Sequence, residues 1–441
     1  MFSISSYLYS LIAAEIVSIV KWNDQLFYVK NSVSTHRRLF DSLRLGLGDG
    51  LTGEIDVEDL PDQSQHPDSR SAIILNGEFN HTTDIQGLLD NLFPKLSRKS
   101  RLVVVMYNPY YRWLLVLANR FGFRTSPLPE SFPTRSALKN IAKLSRFELV
   151  RIRPAGYFPF RLFGLGDIIN QWLVLIPWFR WTALFCVAVL RPIKPETSSP
   201  SLSVLVAARN ERGNIEDLFR RLPEICQDME LVIVEGHSKD GTWEEIQHQA
   251  DANKRPFAVQ SAQQQGVGKV DAIRLAAQMA RKDLLVILDA DLTVPPESLA
   301  RFYRAYCDGV GDFINGSRLV YPMEKEAMFF LNWLGNIFFA KSLSAVLDSG
   351  ITDSLCGTKL FAKSDYARMV AWRARFGDFD PFGDFELLFP ASQMALGLCD
   401  VPVKYRSRTY GATNISRFRH GYMLLRMTLT GLIRITSGRT Q

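Results

Sequence analysis

The chain has 441 residues, a formal net charge of +7, 47% hydrophobic residues and ordinary numbers of glycine and proline, which exclude a collagenous or disordered protein and leave room for two or three folded domains. Five scattered cysteines, at 186, 226, 307, 356 and 399, show no CxxC or His/Cys ligand spacing, so neither a zinc site nor a disulfide framework is expected and a reducing cytosol is the simplest setting. The positive charge is localised: beyond Asp400 there is no Asp or Glu, only Lys404 and seven arginines (406, 408, 417, 419, 426, 434 and 439), a pattern that suits phosphate groups on a nucleotide, an anionic lipid or a nucleic acid, or else a solvated basic face.

In chain order, the N-terminal MFSISSYLYSLIAAEIVSIVKW lacks the basic start and small-residue cleavage site of a signal peptide, so a cytoplasmic start is expected. Strands are expected at 72–75, 102–107, 147–152 and 181–190, with helices at 84–96, 113–121 and 136–144, an alternation that argues for a parallel or mixed α/β layer. From residue 70 to 192, through SRFELVRIRP and WTALFCVAVLRP, this order resembles the second half of a class I, S-adenosylmethionine-dependent methyltransferase. The cofactor half of that fold needs a strand, a glycine-rich turn and a later acid. Gly46, Gly48 and Gly50 in LGLGDG have glycine spacing, but the preceding RRLFDSLRL is charged and helix-like. Only about 20 residues then precede the strand at Ala72, too few for a βαβ unit. Residues 1–190 are therefore expected to form an incomplete methyltransferase-like α/β domain without its cofactor-binding half.

Apolar 172–190 is broken by Pro177 and Arg180, and 328–347 by Asn332, Asn336 and Lys341; neither gives the run a membrane-spanning helix needs, though both suit a membrane surface. The segment 191–201, RPIKPETSSPS, reads as a linker. A second α/β domain is expected over 202–441.

In that domain the strand 202–207 runs into AARNERGNI and a helix, and the strand 231–234 into VEGHSKDGT and another helix. Asn210, Glu211, Glu235 and Asp240 thus fall along one sheet edge, where each also fits a helix cap. GVGKVDAIR then offers a glycine loop with Lys269 ahead of a helix, suited to a diphosphate but without Walker A spacing. The strand in LLVILDADLTVPP ends in Asp289 and Asp291. Two hard oxygen ligands at the C-terminal edge of an α/β sheet suit Mg²⁺ or Mn²⁺ on a diphosphate.

These four elements in this order resemble the family 2, GT-A-type glycosyltransferases, especially those related to dolichyl-phosphate mannosyltransferase, over roughly residues 201–430. The resemblance implies a Rossmann-like, mostly parallel sheet and a nucleoside diphosphate sugar near Ala208, Asn210, Glu211, Glu235 and Asp240, with Lys269 beside it. Asp289 and Asp291 match the metal-binding DxD. Gly236 and His237 stand where a second Asp and a Gly are common, which leaves the donor base open; His237 itself reads as a turn residue, with an acid/base role as the alternative.

Further along, FGDFDPFGDFELLFP places Asp378, Asp380, Asp384 and Glu386 among aromatic residues, where partial desolvation favours a general base. The resemblance makes Asp384 the first choice for that base and Glu386 the second; helix capping is the alternative. DSLCGTKLFAKSDY, with Asp353, Cys356, Gly357, Thr358 and Lys359, resembles the acceptor loop of polyprenyl-phosphate enzymes, and Cys356 without a histidine partner reads as packed. Arg318 corresponds to an arginine near a donor or acceptor phosphate, whereas 327–340 lacks an arginine frequent in the mannosyltransferase relatives.

In the tail, Arg406, Arg408, Arg417 and Arg419 with Tyr405, Tyr410 and Tyr422 suit phosphate oxygens, with His420 as a further contact or a packing residue. Attachment to the acid-pair motif favours a diphosphate or lipid phosphate over nucleic acid. The expected activity is inverting, metal-dependent hexosyl transfer, with polyprenyl phosphate at the cytoplasmic membrane face as favoured acceptor and a saccharide hydroxyl as the alternative. A methyltransferase and a non-catalytic phosphate-binding scaffold are the rivals of other classes.

Overall fold

The computed structural model describes residues 4–30, 37–122, 127–322, 330–376, 383–411 and 417–436. The chain divides into two compact units: one takes Met1–Lys194 with 393–395 and the stretch from Gly431 onward, the other Pro195–Ser392 and Leu396–Thr430.

The first unit holds six strands: β1 (Gln25–Val29), β2 (Leu51–Ile55), β3 (Ser71–Asn76), β4 (Arg101–Tyr107), β5 (Phe147–Ala155) and β6 (Phe185–Pro192). Their order is β2-β1-β3-β4-β6-β5; β1 to β4 pair in parallel, and β6 runs antiparallel to β4 and β5. Both faces are covered, which is why the central strands are continuously apolar rather than alternating. Ile73, Leu75, Leu102 and Val104 meet the helices Ile85–Leu92 and Arg135–Leu144 on one face. Ala72, Ile74, Val103 and Val105 meet Ile4–Val20 and Arg38–Leu47 on the other.

Two features differ from the sequence expectation. Parallel strands β1 and β2, joined through the helix Arg38–Leu47, precede the first strand expected, at 72–75. The strand expected from residue 181 starts only at Phe185, because Pro177–Thr182 forms a 3₁₀ helix.

The second unit holds β7 (Leu202–Ala208), β8 (Met229–Glu235), β9 (Ala258–Gln263), β10 (Leu284–Asp289), β11 (Phe313–Ser317), β12 (Lys359–Ala362) and β13 (Leu398–Pro402), in the order β13-β11-β12-β10-β7-β8-β9. β10, β7, β8 and β9 are parallel, and β12 runs antiparallel between β10 and β11. The chain builds outward from β7 to β9 and then returns to lay β10 on the other side of β7. That reversal is a topological switch point, outside whose strand ends open α/β sheets bind ligands. Register puts Asp289 beside Ala207, and Ala208 beside Glu235, at that edge. Because β12 enters antiparallel with Lys359 opposite Ile287, the segment leading into it arrives at the same edge. Among the described residues no helix is long and apolar enough to cross a membrane.

Leu288, one residue before Asp289, is fully buried in the core that joins β7, β8 and β10 to their helices. Leu288→Ala should destabilise the second unit by about 2–5 kcal/mol through lost burial and the cavity left behind. A lower urea midpoint with unchanged slope checks this.

Candidate functional site

Asp289 closes β10, and Lys269, first residue of the helix Lys269–Met279, donates from Nζ to its Oδ1. Burial raises the Asp289 pKa, but the charges of Lys269, Lys359 and Arg318 outweigh this and hold it below the ordinary carboxylate range. Lys269 is held above its ordinary range: burial opposes its charge, while Asp289, Asp384 and Asp291 favour it. Gly357 packs directly on this pair. A Cβ there would lie 2.4 Å from Asp289 Oδ2 and 2.6 Å from Lys269 Nζ, so only glycine fits against the pair as it stands.

Asp291 is bound from two sides. Thr293 donates to its Oδ1 from N at 3.1 Å and from Oγ1 at 2.8 Å, and Arg408 Nη2 donates to its Oδ2 at 2.6 Å. Arg406 N donates to Thr293 O at 2.9 Å, which brings the basic tail against the DxD turn. Arg408 Nη1 reaches Glu211 Oε1 at 3.2 Å, so one guanidinium bridges two carboxylates, and Asn214 donates to Glu211 Oε2 at 2.6 Å. Glu211 is pushed up to about 7, chiefly by burial and then by Asp291 and Asp240, against the pull of Asn214 and Arg408.

The loops after β7 and β8 are stitched together by the residues read as donor-binding. Asn210, with φ of +56°, donates from N to Ser238 Oγ at 2.8 Å and accepts from Lys239 N at 3.0 Å. Asp240 accepts from Thr242 N at 3.1 Å, Arg212 N at 3.2 Å and Tyr410 Oη at 3.2 Å. Glu235 accepts from Ser238 N at 2.5 Å and Gln263 Nε2 at 3.1 Å. Burial would raise Glu235, but these bonds hold it below its ordinary value. His237 takes a left-handed turn conformation, φ +58°. The Tyr410 ring lies against Gly213, where a Cβ would come within 2.6 Å of it.

The acidic loop is not an open pair of bases. Asp384 is buried and accepts from Lys359 Nζ at 2.5 Å. Lys359, read from sequence as an acceptor-loop residue, is fully buried at the start of β12. Glu386 is held by Arg274 Nη2 at 2.5 Å and Arg373 Nη1 at 3.4 Å. Lys269, Gly357, Lys359, Asp384, Glu386 and Tyr366 nonetheless share one cleft. Arg318 forms a two-pronged bond to fully buried Asp353, Nε–Oδ2 2.7 Å and Nη2–Oδ1 2.9 Å, with its guanidinium 5.3 Å from the Tyr405 ring centre. It thus serves the loop before β12 rather than an open phosphate contact. Burial pushes the Cys356 thiol up to about 12, in keeping with a packed residue. Arg417, Arg419 and His420 belong to the helix Arg417–Gly431, but their side chains lie outside the described ones, as do residues Asp378 and Asp380.

Sequence reasoning missed Arg373, Tyr366 and Thr242. Arg373 and Tyr366 sit on the helix Lys363–Phe376 with no motif around them. Among the described residues, no group of three or more His, Cys, Asp or Glu gathers around a metal position. The donor set that fits is Asp289 and Asp291, with remaining ligands from phosphate and water, which is how Mg²⁺ is commonly held.

An acid pair at the switch point of a mixed α/β sheet, with Lys269 and Arg408 bonded to it, stands where open α/β sheets place their ligands. Residues 203–369 match the family described as glycosyl transferase family 2. The chain is 34% identical over 122 residues to the dolichol-phosphate mannosyltransferase of Pyrococcus furiosus, covering 27% of this chain and 33% of the relative. It is 25% identical over 224 residues to the undecaprenyl-phosphate 4-deoxy-4-formamido-L-arabinose transferase of Pseudomonas aeruginosa, covering 49% and 61%. It is 27% identical over 227 residues to the dolichyl-phosphate hexose transferase of Haloferax volcanii, covering 51% and 91%. The chain thus spans a third of the first of these relatives and about three fifths of the second.

Because the Glu211 carboxyl stands at about 7 in the folded chain against an ordinary 4.5, the folded state binds more protons over that interval. Its contribution to stability is complete below pH 4.5 and is lost as the pH rises through 7. Glu211→Gln should remove this decline from the pH profile of ligand-free thermal unfolding, and an unchanged profile would refute the assignment.

Proposed function

We propose that this chain is an inverting, metal-dependent glycosyltransferase that moves a hexose from a nucleoside diphosphate sugar to a polyprenyl phosphate at a membrane surface. The observation that carries the reading is that Asp289 and Asp291, at the end of β10, each hold a cation from another segment, Lys269 and Arg408. Asp289 and Asp291 would hold Mg²⁺ or Mn²⁺, which supplies Lewis-acid stabilisation of the departing diphosphate. The relatives support the acceptor class, since all three are named for a dolichyl-type or undecaprenyl phosphate.

Ala208, Asn210, Glu211, Glu235 and Asp240 line the edge proposed for the nucleoside. A phosphate oxygen of the acceptor attacks the anomeric carbon as the bond to the diphosphate breaks, and the configuration inverts. Lys269, Arg406 and Arg408 offset the negative charge that builds on the leaving group, with Arg417 and Arg419 as further phosphate contacts. A phosphate acceptor is already an anion at neutral pH and needs little base. The ion pairs of Asp384 with Lys359 and of Glu386 with Arg274 and Arg373 suit such an acceptor, since they occupy the carboxylates that a hydroxyl acceptor would need as a base. The first unit is proposed as a methyltransferase-like scaffold; tight S-adenosylmethionine binding in a titration would overturn that role.

The decisive assay is release of nucleoside diphosphate from a panel of nucleotide sugars with Mn²⁺ and polyprenyl phosphate. Transfer should need the metal and stop with a chelator. Asp289→Ala should cost more than about 100-fold in rate; normal, metal-independent transfer by this variant would refute the reading. Asp384→Asn should lower the thermal midpoint by leaving Lys359 without its carboxylate, yet the folded variant should still serve phosphate acceptors and lose transfer severely only with a saccharide hydroxyl.

A further inference from the structure

The first unit carries an apolar face that its own core leaves uncovered. The helix Arg112–Arg120, RWLLVLANR, buries none of its residues. The turn that precedes it is tied to the end of the stretch 158–182 by Asn108 Nδ2, which donates to Trp181 O at 2.8 Å, and by Tyr111 Oη, which donates to Thr182 O at 2.7 Å; Arg180 Nε, donating to Val174 O at 3.2 Å, links that end back to the helix Leu165–Leu173. The exposed side chains of the two segments include Trp113 (60% exposed), Phe121, Phe163, Ile168, Trp172 (55% exposed) and Trp181. So many exposed large apolar side chains on two linked segments mark a docking surface rather than ordinary scatter.

Phe163 adds a second observation. It has φ of +53° and ψ of +27°, and its ring stands fully in solvent. A bulky residue in the left-handed region is strained, and here the strain projects an apolar ring outward with no contact to offset the cost.

Charge selects the occupant. Residues 109–122 contain Arg112 and Arg120 and no acid, and 158–182 contain Arg161, Arg180 and a single acid, Asp167. Asp167 is already engaged by Arg161 Nε at 3.1 Å and Tyr7 Oη at 2.8 Å. Arg161 is neutralised by that pairing, which leaves Arg112 and Arg120 as exposed charges beside tryptophan and phenylalanine with no acid unpaired, the composition of a surface that lies in the headgroup region of an anionic bilayer. A second protein copy would bring the same positive rim against itself.

We propose that this face docks the chain onto an anionic lipid membrane, with Trp113, Phe163 and Trp172 inserted below the headgroups. The proposal stands on this face alone and is independent of the transfer chemistry. It is tested with the full chain by flotation on phosphatidylcholine vesicles with and without phosphatidylglycerol. The unmodified protein should float with the phosphatidylglycerol vesicles. The triple variant Trp113→Glu, Phe163→Glu, Trp172→Glu should bind about tenfold or more weakly with an unchanged thermal midpoint, since all three side chains are exposed. Brominated lipid should quench the tryptophan fluorescence of the unmodified protein, and Trp113→Phe with Trp172→Phe should remove most of that quenching while preserving flotation. This keeps the test sharp should the triple variant fold poorly. Absence of flotation, equal binding by a folded triple variant, or flotation without quenching would overturn the proposal. So would a dimer that the triple variant splits, since the face would then belong to a second copy.

Discussion

A carboxylate removed from water must meet a cation or a set of hydrogen-bond donors, and much of the crevice of the second unit is built on the first solution. Asp289 meets Lys269, Asp291 meets Arg408, Asp384 meets Lys359, Glu386 meets Arg274, and Asp353 meets Arg318. With Arg408 also on Glu211 and Tyr410 Oη on Asp240, the loops after β7, β8 and β10 are cross-tied to the helix after the glycine loop and to the basic tail, and the acidic loop is tied to β12. Breaking such a pair by removing one partner strands a charge, whereas an exposed surface pair would be worth little. The positions of the site residues therefore follow from charge pairing as much as from the apolar core beneath them.

The antiparallel entry of β12 between β10 and β11 is the second constraint. It carries the segment ending in Gly357 over the end of β10 and sets Lys359 in the core beside Asp384. Nothing local in the sequence announces this. β12 is only four residues, KLFA, too short for a period to register, so Lys359 reads as a loop residue. The acid pair is legible because a run of aliphatic residues that ends in Asp-Ala-Asp has a physical signature, and Lys269 because glycines precede it. Its partners are less so: Arg408 lies 117 residues from Asp291, and long-range pairing leaves no mark in a local pattern. The tail reads correctly as a store of cations. That one of them, Arg408, bridges Glu211 and Asp291 is visible only in the fold.

In the first unit, β3 and β4 were legible as apolar runs because both faces are covered. β1 and β2 were not. β2 is LTGEI, with two of its five residues exposed, and it sits at the edge of the sheet, where polar residues and glycine weaken any strand signal. The same holds for β9, AVQSAQ, at the edge of the other sheet and without a buried residue. Edge strands thus account for much of what sequence patterning missed, since burial is what writes the pattern.

Charge pairing that is complete without ligand has a further consequence for a metal on Asp289 and Asp291. Lys269 donates to Asp289 Oδ1 and Arg408 to Asp291 Oδ2, so a divalent cation on the pair would have to share the carboxylates with those side chains or displace them. The exchange does not leave those cations stranded, because the diphosphate that accompanies the metal would present new oxygens to them. Arg408 has a nearer refuge as well, since Glu211 already accepts from its Nη1. Glu211, pushed up to about 7 by burial and by the neighbouring Asp291 and Asp240, would ionise more readily once a metal neutralised Asp291, and so would hold the released guanidinium more firmly. On the proposed reading the ligand-free pairs would be a charge-paired ground state of the same residues, and cation exchange would cost less than the number of ion pairs broken suggests.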